Sequence, residues 1–221
     1  MLTAVFVLVV ITMIVAHHFL IAERGERATE ARSLTALGPL SALLPRFPDD
    51  VLFQPGFTWS RSNEKGGQVV GVHPLLLGLV GSPYELEVVA GFKVEKGSPL
   101  IRVNKGDRSL SLRSPISGRV METRELTDRV DSEARKSDWE HWVCRVEPED
   151  EEPRDSLWMS GDRALEWTQQ MYADIRDHLM RGGVARGLGF ALADGGELPL
   201  GVLGDLESWE WTAFQETFLD S

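Results

Sequence analysis

A chain of 221 residues with 43% hydrophobic side chains can bury one sizeable core and a small appendage, and more than one full domain is not expected. Its 34 acidic against 23 basic residues leave a formal charge of −11, the wrong sign for gripping a phosphate backbone, so nucleic acid is a poor candidate partner. The single cysteine, Cys144, can form neither an internal disulfide nor a Cys-rich metal site, and nothing points to an oxidising compartment.

The first 22 residues carry no Asp, Glu, Lys or Arg, and a helix of that length spans the ~30 Å hydrocarbon core of a bilayer. Leu2 to Ile21 includes thirteen Leu, Val, Ile or Phe, which favour insertion by about −4 to −8 kcal/mol as an upper bound. A cleaved signal peptide is the competing reading. It would need a basic leading region and a small-x-small cleavage site, and this stretch has neither. Arg24, Arg27 and Arg32 follow the span, so the positive-inside rule places the remainder in the cytoplasm, with the anchor single-pass in the cytoplasmic (inner) membrane. His17 and His18 stand in the last turns of the span. They are candidates for tetrapyrrole ligation, for a helix–helix contact, or for interfacial anchoring without further function.

Residues 23–50 mix charges and apolar positions at helical spacing until Gly38-Pro39, and read as a juxtamembrane helix and linker. From Val51 the texture changes to short strand patterns, "VLFQPGFTWSRS", "EKGGQVVGV", "YELEVV", "SPLIRV", "RSLSLRSP", "GRVMETREL" and "HWVCRV". "NEKGG" and "NKGD" supply the Asn and Gly that tight hairpins need. "EPEDEEPRD" reads as a solvated connection. Next, Ser160 is a candidate N-cap for a helix that stops at Gly182-Gly183, with Leu165, Thr168, Met171, Tyr172, Ile175 and Leu179 on one face. Eight glycines between Gly182 and Asp205 suggest a pliant arm, and Leu206, Trp209, Ala213, Phe214 and Phe218 then suggest a short amphipathic helix. Trp209, Phe214 and Phe218 are candidate partner-binding residues, with packing back on the chain's own domain as the alternative.

"GFKVEKGSPLIRVNKGDRSLSLRSPISGRV" has a G-x-x-V-x-x-G turn, a strand, a hairpin and a returning S-P-x-S-G-x-V strand. This resembles the barrel-sandwich fold of lipoyl and biotinyl domains, and in particular the H protein of the glycine cleavage system. "FTWSRSNEKGGQVVGVHPLLLGLVGSPYELEV" upstream, and "HWVCRVEPED" with the Ser160 to Arg181 helix downstream, extend the likeness over residues 51–181. The fold class so implied is α+β, mainly β: a barrel-sandwich hybrid with a C-terminal helix, preceded by one transmembrane helix and followed by residues 182–221. The resemblance also implies a lipoyl lysine at the hairpin tip about seven residues before the S-P, yet that position is Asp107, preceded by Asn104, Lys105 and Gly106. A carboxylate cannot form the amide that tethers lipoate. Lys105 is the alternative attachment point, against its reading as a solvated turn lysine.

Other chemistry is thin. His141 and Cys144 are three apart on a strand pattern and, by alternation, face opposite sides, so core packing is expected of Cys144. His73 and His178 lack companions at metal-ligand spacing and read as structural, and "GLGFALADGG" lacks the strand–helix–strand unit of a nucleotide loop. No cofactor, metal or catalytic residue is expected. The expected role is a non-catalytic, membrane-anchored accessory or assembly subunit of a larger respiratory, photosynthetic or transport complex, which would meet its partner subunits through the span and the C-terminal arm, and membrane lipid through the span. Two alternatives stand beside it: a membrane-tethered lipoyl carrier modified at Lys105, and a cytoplasmic decoy that binds lipoate-metabolising enzymes.

Overall fold

The computed structural model describes residues 48–89, 91–124, 126–128, 142–149, 158–181 and 198–220. The expected span with His17 and His18, residues 23–47 of the expected linker, and His141 lie outside them. Among the described residues no helix is long and apolar enough to cross a membrane.

The fold is mainly β. Among the described residues ten strands run in chain order: β1 Leu52–Gln54, β2 Thr58–Ser62, β3 Gln68–Val72, β4 Tyr84–Val88, β5 Lys93–Val94, β6 Pro99–Lys105, β7 Arg108–Arg113, β8 Gly118–Thr123, β9 Leu126–Asp128 and β10 Trp142–Pro148. Helix α1, Pro74–Val80, sits between β3 and β4. Helix α2, Gly161–Arg181, follows β10, and a 3₁₀ turn at Val202–Asp205 leads into α3, Ser208–Phe214, which widens to π spacing over Gln215–Leu219. The strands form two antiparallel sheets, one of six strands in the order β1-β2-β3-β10-β8-β5 and one of four in the order β7-β6-β4-β9. Neither closes into a barrel among the described residues, and the pair is consistent with a barrel-sandwich arrangement.

Alternation explains how the six-stranded sheet serves two cores. On β3, Val70 and Val72 face the main cluster while Val69 faces a second one with Phe53, Trp59, Met159 and Ala164. The main core lies where Val70, Val72 and Val146 meet Ile101, Val103, Leu110 and Leu112 of the four-stranded sheet, with Leu75, Leu76 and Leu79 of α1 beside them. Three bulges interrupt the period. The extra residue is Leu100 on β6, Met121 on β8 and Val143 on β10. Val143 and Cys144 consequently both enter the main core, which overturns strict alternation as a guide to where Cys144 and its neighbours point. The Cys144 thiol is fully buried and its pKa is pushed up to about 12 by that burial, so it is inert packing.

The helix after Ser160 follows from its periodicity. Ala164, Thr168, Ile175 and Leu179 are buried, Leu165 packs on the second cluster, and Met171 and Tyr172 pack on the first. Thr168 meets His73, whose ring is 0% exposed among Phe53, Phe57 and Trp167 with centroids 5.1, 6.0 and 5.8 Å away. His73 Nδ1 accepts from the Leu75 N–H at 3.0 Å, capping α1, so the ring proton belongs on Nε2, which donates to Thr168 Oγ1 at 3.1 Å. Thr168 in turn donates to the Ala164 carbonyl at 2.7 Å. Every proton in this relay has one direction, and burial lowers the His73 pKa to about 3, keeping it neutral. Phe57 holds a left-handed backbone, φ 62, because its ring is buried against Trp167 and its carbonyl accepts the His73 N–H at 2.8 Å.

The segment from Leu198 packs back on the domain, the alternative given for its aromatic residues. Leu198, Leu200, Val202, Leu203, Leu206, Trp211, Phe214 and Leu219 all enter the main core. Gly201 donates to the Gly78 carbonyl at 2.8 Å, and a Cβ on Gly81, φ 67, would stand 2.4 Å from Gly201 Cα, so the two backbones touch because Gly81 has no side chain.

Candidate functional site at the β6–β7 hairpin

The resemblance directs attention to the tip between β6 and β7. Lys105 pairs with Arg108, leaving Gly106 and Asp107 as a two-residue loop. Gly106 has φ 60, the positive value that the first central position of such a turn demands. Asp107 projects into solvent with its side chain 88% exposed and Arg108 Nε 3.9 Å away. The tip therefore presents a carboxylate and no amine.

The two flanking cations are spent on the chain's own backbone. Lys105 Nζ donates to the carbonyl of Gly81, the C-cap of α1, at 2.6 Å and reaches the Ser82 carbonyl at 3.5 Å. Its stem lies so close to Gly204 that a Cβ there would be 2.9 Å from Lys105 Cε. Arg108 donates to the carbonyls of Gly204 and Leu206, the former at 3.0 Å. Burial is the main reason the Lys105 pKa falls below the ordinary lysine value; Arg108 pushes the same way and Asp205 opposes. A lower pKa eases deprotonation, but acylation also needs a free lone pair and an open approach. The Lys105 amine must give up its contacts with the two carbonyls at the helix end before it can be acylated. Lys105 is thus no solvated turn lysine, and its place under the C-terminal segment is the correction to that expectation.

The latch continues along β7, the edge of the four-stranded sheet. Ser111 N–H donates to Gln215 Oε1 at 2.8 Å, and Gln215 Nε2 donates to the Ser111 carbonyl at 2.9 Å, so a side-chain amide stands where a further strand would pair. Arg113 meets Asp220 at 2.9 Å, and Leu198 N–H donates to the Tyr172 hydroxyl at 2.8 Å. No sequence pattern distinguishes Gln215 or Tyr172 as partners, because their distances along the chain are long and their chemistry is generic.

Of the three aromatic candidates, the structure separates one from the others. Phe214 is 1% exposed in the core, and Phe218 packs on that core against Phe214 and His178, with centroids at 5.0 and 5.2 Å. Both are engaged within the chain. Trp209 is 64% exposed. Leu206 precedes the helix, which starts at Ser208, so the phase that groups Leu206 with Trp209 does not apply; the inward stripe is Trp211, Phe214 and Phe218. Among the described residues no three His, Cys, Asp or Glu side chains gather as a metal site.

No family model matches the chain, and no curated protein matches it. Among solved structures it is similar to a glycine cleavage system H protein from Mycobacterium marinum, at 17% identity and TM-score 0.39, over 56% of this chain and 97% of that one. A likeness this distant decides nothing about activity.

Proposed function

We propose that the chain is a non-catalytic accessory or assembly subunit of a larger membrane complex. In this reading the uncharged residues 1–22 are a single-pass anchor in the cytoplasmic membrane, and a degenerate H-protein-like barrel-sandwich domain on the cytoplasmic side supplies contacts rather than chemistry. The observation that carries it is the hairpin tip. Asp107 stands where the resemblance implies an attachment lysine, and Lys105 and Arg108 beside it are bound to carbonyls of Gly81, Gly204 and Leu206. Without a tethered dithiolane, neither group carriage nor a redox cycle is available to such a domain. The respiratory, photosynthetic and transport classes of complex fit equally.

Extraction in mild detergent tests this reading. A stoichiometric particle of several different chains is expected; recovery of this chain alone would refute it. The competing carrier reading requires a lipoyl increment in the intact mass that disappears in Lys105→Ala, and the seat of Nζ between two carbonyls argues against it.

A further inference from the structure

We draw no further inference here: the strongest candidate, the surface patch made by the exposed Trp209 indole on the outer face of α3, carries nothing, because nothing in the structure shows what covers it.

Discussion

The two sides of the C-terminal segment make opposite use of the same side-chain types. On the inner side Trp211 and Phe214 are sealed into the core, Gln215 completes the hydrogen bonding of Ser111, and Asp220 holds Arg113. On the outer side Trp209 and Glu216 meet nothing of comparable weight. Aromatic content therefore says little about docking until the helix phase is known. One side stabilises the fold and holds the two cations that flank the hairpin tip, and the other is left exposed.

The largest expected contrast comes from removing the inner side altogether. Deleting residues 198–221 exposes the core face that eight buried apolar side chains now cover, each worth about 1.5–3 kcal/mol, and should abolish a cooperative denaturation transition. A retained transition at an unchanged midpoint would mean that the segment is dispensable for folding. Phe214→Ala is next, with an expected loss of about 3–5 kcal/mol in chemical denaturation, against less than about 0.5 kcal/mol for Trp209→Ala. Similar losses for the two would erase the distinction between the sides.

A third experiment probes the relay under α2. His73 is neutral in the folded chain with a pKa of about 3, whereas in the unfolded chain it takes a proton below about 6.5. The unfolded state thus binds more protons between those values, and stability should fall as pH drops from 6.5 toward 3, by about 1.4 kcal/mol per pH unit from this residue. His73→Asn, which can still cap α1, should flatten that slope relative to the parent in denaturant midpoints measured from pH 7 to 4. Parallel slopes would place the acid sensitivity elsewhere. A modest loss is expected of Arg108→Ala, about 1–2 kcal/mol from two lost carbonyl contacts, read as faster amide exchange at the β6–β7 tip. Unchanged exchange would mean that the latch does not hold the tip.

Local signals made much of this architecture legible. Asn63 accepts from Lys65 N–H in the β2–β3 turn, Gly106 takes its positive φ at the next hairpin, and the three-and-four spacing from Leu165 to Leu179 fixes the buried face of α2. Bulges are less visible. A strand that gains Leu100, Met121 or Val143 looks locally like any other run of residues, and the shift shows only against its neighbour. The C-terminal segment misleads for a related reason. Glycines count as pliant in isolation, but Gly201 holds a fixed left-handed backbone, φ 77, against Gly81, which only the packed partner reveals. At the hairpin, Asp107 is readable from the sequence. The hold on Lys105 is not, since it depends on carbonyls of Gly81 and Ser82 that lie 24 and 23 residues away.

The amide of Gln215 has one more consequence. An outermost strand with open peptide groups invites growth by addition of further strands, from another copy or from an extended peptide. At β7 that growth is terminated by a single glutamine, which satisfies both peptide groups of Ser111 and has no repeating backbone of its own to pass the pattern on. A strand added at this margin would have to displace that glutamine from Ser111 before it could pair there.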